Sequence, residues 1–205
     1  MMLISAAVVA ALVGVVFLVK WLRHHVVPRN FGVVEPGCIF RSGRLTPRMI
    51  RRVRREHGIR TIIDLGAYPA GTPEEQLMQR TAEELGLTRY VMRGVIGNAT
   101  GNPNVYLRAI RLLADESSHP VLIHCAAGAE RTGAAVILFR HLVQGKPIDE
   151  VYKEALCFKH DPAKNRELRG YVERHAPAIR EAFERGGDIP DADPPDVTCT
   201  TPVRA

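Results

Sequence analysis

The chain has 205 residues, a formal net charge of +6 at pH 7 and 46% hydrophobic residues. That length suits one ordinary domain with an appendage and excludes two full catalytic domains. The charge is uneven: residues 20–60 hold 11 Lys/Arg against Glu35 and Glu56, residues 61–184 sum to −1 and residues 185–205 to −2.

No charged residue precedes Lys20, and within residues 1–22 only Ser5, Gly14 and Lys20 fall outside the hydrophobic set. Roughly 20 apolar residues at about 1.5 Å rise each cover a bilayer core, so residues 1–22 are expected to form one transmembrane helix. The exit, Lys20 to His25, is basic and carries no small-residue cleavage site, which favours an anchor over a cleaved signal peptide. Basic residues on the carboxyl side place the rest of the chain in the cytoplasm, giving a single-pass membrane protein with Trp21 at the interface. Residues 23–33 are a basic juxtamembrane linker. Cys38, Cys125, Cys157 and Cys199 show no metal-ligand pairing such as C-x-x-C, so reduced thiols are expected rather than a disulfide framework or a zinc site.

From residue 34 the punctuation becomes regular. A strand is expected at 38–41. Thr46-Pro47 is an N-cap followed by proline at the first helical position, and Met49, Ile50 and Val53 supply an apolar stripe that ends before Gly58. Residues 60–65 (RTIIDL) read as a short buried strand. Thr72-Pro73-Glu74-Glu75 has the capping-box arrangement that opens a helix ending at Gly86. Another strand follows at 88–92, a glycine-containing loop at 93–101 and a helix at 103–116. Residues 120–124 (PVLIH) form a continuous apolar run bounded by proline, the pattern of a central strand buried on both faces. A Gly/Ala-rich turn leads to an apolar helix at 132–144, and further helices are expected at 148–157, 164–174 and 177–185. Alternating strands and helices imply an α/β fold of three layers, with a mostly parallel central sheet flanked by helices, over 34–185. Residues 186–205, acidic and rich in proline, read as a disordered tail.

The segment His124 to Gly133 (HCAAGAERTG) carries the chemistry. A short loop between a buried strand and a helix N-terminus converges backbone N–H groups on one point. The helix dipole adds positive potential there, and Arg131 adds a planar fork matched to phosphate oxygens. The phosphate-binding set is thus Ala126, Ala127, Gly128, Ala129, Glu130 and Arg131. A cysteine at the mouth of such a site is favoured as thiolate, which makes Cys125 the expected nucleophile.

This pattern resembles the cysteine-dependent protein tyrosine phosphatase superfamily, whose signature is His-Cys-x5-Arg-Ser/Thr, matched by His124, Cys125, Arg131 and Thr132. Phe40-Arg41-Ser42-Gly43, followed by a helix and then Gly58 to Leu65, is similar to the opening of its compact dual-specificity-like branch, including bacterial members. By that resemblance Cys125 attacks phosphorus to form a cysteinyl-phosphate, while Arg131 and the loop amides bind the equatorial oxygens. Thr132 donates to the departing sulfur or caps the helix, and His124 orders the loop. No metal or organic cofactor is implied.

Members of that superfamily normally protonate the leaving oxygen with an aspartate on a mobile loop before the cysteine. Here no aspartate occurs between Asp64 and Asp115. Glu130, inside the loop, is the first candidate for the acid, with an outward-facing or ion-paired role as its alternative. Asp64, at the carboxyl end of a central strand, is the second, or it fixes Arg131 or the loop by hydrogen bonds. Asp161 is the third. The loop interior lacks the lysines of inositol-lipid phosphatases, and its acidic residue repels additional phosphates, so a single phosphate monoester on a protein or small molecule is the expected substrate. A phosphate-binding pseudophosphatase and a phosphatase of a singly phosphorylated lipid stay open. Arginines at 41–60 lie beside the apolar segment, where anionic headgroups are nearer than nucleic acid, so membrane contact and no nucleic acid is expected. The sequence assigns no oligomeric state.

Overall fold

The computed structural model describes residues 12–17 and 28–201. Its strands are β1 (Gly32–Glu35), β2 (Ile39–Ser42), β3 (Thr61–Asp64), β4 (Thr88–Arg93), β5 (Val121–His124) and β6 (Asp196–Thr200). Its helices, numbered from residue 28 onward, are α1 (Pro47–His57), α2 (Pro73–Glu84), α3 (Pro103–Ala114), α4 (Glu130–Leu142), α5 (Ile148–Cys157) and α6 (Glu167–Arg185).

The sheet runs β1-β2-β5-β3-β4-β6. Its four central strands are parallel, and β1 and β6 pair antiparallel at the two edges. Alternation along the strands sorts two cores. Ile39, Ile63 and Ile123 face one side, with α3, α4, α5 and α6 packed on them. Phe40, Ile62 and Leu122 face the other, against α1 and α2. Every residue of β2, β3 and β5 is buried between the two helical layers, the polar Arg41, Ser42, Thr61, Asp64 and His124 included. The starts of α1 and α2 follow the punctuation: Thr46 and Thr72 accept from the N–H groups of Met49 and Glu75, each with proline next.

Three expectations need correction. The transmembrane helix over 1–22, and the single-pass membrane location and membrane contact read from it, are not upheld: no helix among the described residues is long and apolar enough to cross a membrane. Of that stretch only residues 12–17 are described, as helix, about 9 Å of rise against a hydrocarbon core of about 30 Å. The rest of that span, like residues 23–27 of the basic segment, lies outside the described residues.

The helices expected at 164–174 and 177–185 are one, α6, with Pro177 inside it. Proline removes one i→i−4 bond, a cost of about 3 kcal/mol. The buried stripe Leu168, Tyr171, Val172, Ala176, Ile179 and Ala182 continues through it unbroken, and that packing outweighs the lost bond.

The tail at 186–205, expected to be disordered, contains β6, whose Asp196 and Thr200 stand opposite Arg93 and Arg89 of β4. The connecting segment is held by Asn104, which is 1% exposed. Its amide donates to the carbonyls of Ile189, Ala192 and Asp193 at 3.2, 3.3 and 3.0 Å, and its Oδ1 accepts from Ile189 N at 2.8 Å. Among prolines and aspartates the tail has few apolar residues, Ile189 and Val197 packing on the core; a buried amide and a free sheet edge do the rest of the fixing.

Removal of residues 188–205 leaves the Asn104 amide without those partners. Water then takes the place of those partners, so each bond lost costs a net of about 0.5–1.5 kcal/mol. Thermal unfolding should fall by roughly 2–4 °C for each kcal/mol in a domain of this size. An unchanged melting temperature would show that the tail contributes no stability.

Candidate active site

β5 lies between β2 and β3 in the middle of the sheet, so its carboxyl end delivers Cys125, 1% exposed, to the centre of the sheet's edge. The loop after it is shaped from outside. Ala126 O accepts from Arg44 N at 3.0 Å, Ala127 O from Asn30 Nδ2 at 2.9 Å and Gly128 O from Arg41 Nη2 at 3.0 Å. In a trans peptide the next N–H points opposite to the carbonyl. Three outward carbonyls therefore turn the N–H groups of Ala127, Gly128 and Ala129 inward. The Gly128 N–H does donate to Cys125 Sγ, at 3.2 Å.

Two glycines permit this approach. A β-carbon at Gly128, whose φ is +72°, would stand 2.5 Å from Gly43 N, and one at Gly43 would stand 2.8 Å from Ala127 O. The Arg41-Ser42-Gly43 segment thus supports the loop: arginine holds a carbonyl and glycine leaves room.

Arg131, in the first turn of α4, donates through Nη1 to the carbonyls of Leu65 and Gly66, at 2.7 Å each. The turn that carries those carbonyls is pinned by Asp64, whose Oδ1 accepts from Ala67 N at 2.6 Å. The other oxygen of Asp64 pairs with buried Arg89 at 2.6 Å. Asp64 is thereby committed to the turn that orients Arg131. His124 Nε2 lies 3.8 Å from Asp64 Oδ2, too far for a hydrogen bond. Burial lowers the His124 pKa, against the pull of Asp64.

Glu130 opens α4 and turns into a cluster from the α5–α6 connection. His160 Nδ1 meets Oε2 at 2.7 Å, Asn165 Nδ2 donates to Oε1 at 3.0 Å, and His160 Nε2 meets the Tyr152 hydroxyl at 2.7 Å. Burial pushes the Glu130 pKa up, against the pull of His160. Thr132 lies inside the first turn rather than at the cap, because α4 begins two residues earlier than expected. Its hydroxyl is buried and has no hydrogen-bond partner among the described residues. Asp161 is exposed and bonds Ala163 N at 3.0 Å, which lowers its pKa; it is a turn residue.

The loop 94–101, which contains no carboxylate, is closed by a Val95–Gly101 bridge and by Tyr106 and Tyr171 hydroxyls donating to Ala99 O and Gly101 O, both at 2.8 Å. Sequence reading singled out neither His160 nor Asn165, which follow Glu130 by 30 and 35 positions. Nor did it give a role to Arg41, though the FRSG match contains it. Among the described residues, no group of three or more His, Cys, Asp or Glu could hold a metal ion.

The tyrosine phosphatase family is matched by residues 25–179. The chain belongs to that family. It is similar to two curated proteins of Arabidopsis thaliana, inositol diphosphatase DSP3, at 35% identity over 128 residues, and inositol diphosphatase DSP5, at 31% over 132. These matches span 62% of this chain and 61% and 60% of the relatives' own lengths. Two solved structures share the fold. The Siw14 catalytic core, a protein of S. cerevisiae, is 20% identical with a TM-score of 0.61, covering 78% of this chain and 93% of that one. TpbA of P. aeruginosa is 22% identical with a TM-score of 0.58, covering 76% and 91%.

Gly43→Ala should displace the Ala127 carbonyl and with it the inward amides. Misplacement on the ångström scale costs up to about a hundredfold in rate. A drop of about 10–100-fold in kcat/KM on an aryl phosphate, with the fold retained by circular dichroism, is the expected result; full activity would show the loop to be tolerant of its support.

Proposed function

We propose that the protein hydrolyses phosphate monoesters through a cysteinyl-phosphate intermediate, with an aryl phosphate, phosphotyrosine, as the preferred class. The observation that carries this reading is the Gly128 N–H on Cys125 Sγ inside a ring of amides turned inward. Such amides stabilise both the thiolate and the three equatorial oxygens as charge develops on them. Arg131, fixed by Leu65 and Gly66, closes the ring from the helix side. Thr132 has a free hydroxyl with which to assist departure of the sulfur in the hydrolytic step.

The leaving group decides the substrate class. Loop 94–101 contains no carboxylate, and Asp64 is bound to Arg89 and Ala67. The donors around Glu130 support a role for it as an anchor of the loop rather than as the acid. A phenol, with a pKa of about 10, departs far more readily without a proton than an alkyl alcohol does. Phosphotyrosine is accordingly favoured over phosphoserine and phosphothreonine. TpbA, of the same fold, has been solved with phosphotyrosine.

A second reading, hydrolysis of an inositol diphosphate, is favoured by the two Arabidopsis relatives. A diphosphate also releases a stable leaving group without an acid. Against it, Ala126, Ala127 and Ala129 offer no cation for further phosphates.

Phosphate release from a phosphotyrosine peptide, a phosphoserine peptide and a diphosphoinositol polyphosphate separates these readings. The peptide order tyrosine over serine, with Cys125→Ser slower by at least about a thousandfold, is expected. Faster release from the diphosphoinositol substrate would give the second reading, and binding of the peptides without turnover would overturn both. In the pH–rate profile, Glu130→Gln should keep the wild-type descending limb; its loss would make Glu130 the acid.

A further inference from the structure

Arg41 is buried, with 0% exposure, behind the phosphate loop. Its guanidinium donates to Gly128 O and stacks on Phe158, 3.9 Å from the ring centroid. The one carboxylate near it is Glu154, 3.8 Å from Nη1. Glu154 is shared, since its other oxygen is 2.6 Å from Arg140 Nε. Two guanidinium groups against one carboxylate leave one positive charge in a buried cluster. Such a charge is costly without a counter-ion.

The groups around Cys125 limit what that counter-ion can be. Tyr106, from α3, is held neutral by full burial, and His124, from β5, is no anion in either form of its ring. Asp64 belongs to Arg89, Glu130 faces His160 and Asn165, and Arg131 is a cation. The remaining group there that can carry a negative charge is the sulfur of Cys125, which the Gly128 N–H meets at 3.2 Å. Burial pushes the Arg41 pKa down to about 10, opposed by Glu154 and then by Cys125, so Arg41 stays charged at neutral pH.

We propose that Arg41 is a second cation of the active site, acting from behind the loop: it fixes the Gly128 carbonyl outward and stabilises the Cys125 thiolate, while Glu154 moderates its charge. Arg41 is a positioning residue, since it reaches the nucleophile through the loop. The inference rests on Cys125 being the nucleophile, but its test does not require turnover.

The test is the pH profile of Cys125 alkylation by iodoacetamide in the full chain, followed by mass spectrometry of the peptide that contains Cys125. An opposite charge in direct contact moves such a midpoint by about 1–3 pH units, and Arg41 acts across the Gly128 residue, so the lower end applies. Arg41→Met should shift it upward by about 1 unit, whereas Arg41→Lys, which keeps the charge, should stay near wild type. Glu154→Gln should shift it downward, because it removes the competing anion. The opposite signs separate electrostatics from damage to the fold. An upward or absent shift in Glu154→Gln overturns the proposal, as does an Arg41→Lys midpoint equal to that of Arg41→Met. If Arg41→Met fails to fold, Glu154→Gln decides alone, since its side chain is partly exposed and lies at the edge of the cluster. Opposed shifts in a protein without turnover would leave this inference standing and sink the phosphatase reading; turnover without them would do the reverse.

Discussion

Three hydrogen bonds on the outside of one loop determine what its inside can do. Arg44 N, Asn30 Nδ2 and Arg41 Nη2 hold the carbonyls of Ala126, Ala127 and Gly128 away from Cys125, and peptide planarity then turns the following N–H groups toward it. A loop of alanine and glycine has no side chains with which to bind an anion. Its backbone N–H groups can do so once the backbone is restrained, and the restraints come from the segment between residue 30 and residue 44 and from the start of α4.

The same logic extends beneath the site. The Asp64–Arg89 pair is buried, and a buried ion pair is a poor source of stability compared with an apolar packing of the same volume. Its position explains it better. Asp64 holds Ala67 N, the turn presents the carbonyls of Leu65 and Gly66, and those carbonyls fix one edge of Arg131. On the other side Glu130 anchors the first turn of α4 to His160 and Asn165. The acidic residue that looks out of place in a phosphate loop points away into donors that balance it.

Much of the fold was legible in sequence because local signals and burial agree there. Thr46-Pro47 and Thr72-Pro73 mark helix starts, PVLIH marks a central strand, and His124, Cys125 and Arg131 mark the site. What escaped depends on distant partners. β6 has only a short alternation, Val197 and Cys199, set among prolines and aspartates, and takes its register from the free edge of β4. Pro177 signals a break that the core-facing stripe of α6 overrides. The partners of Glu130 lie 30 and 35 residues away, and composition does not reveal them. Over residues 1–22, composition suggested a bilayer span from hydropathy alone, and no described helix meets the length such a span needs.

The central claim is that phosphorus passes through sulfur at Cys125. Rapid acid quenching of a single turnover of a radiolabelled aryl phosphate, followed by digestion and mapping of the label, tests it directly. Label on the peptide containing Cys125, appearing and decaying at rates compatible with phosphate release, is the predicted result. Complete release of phosphate during that turnover with no label on this peptide at any time would contradict the account.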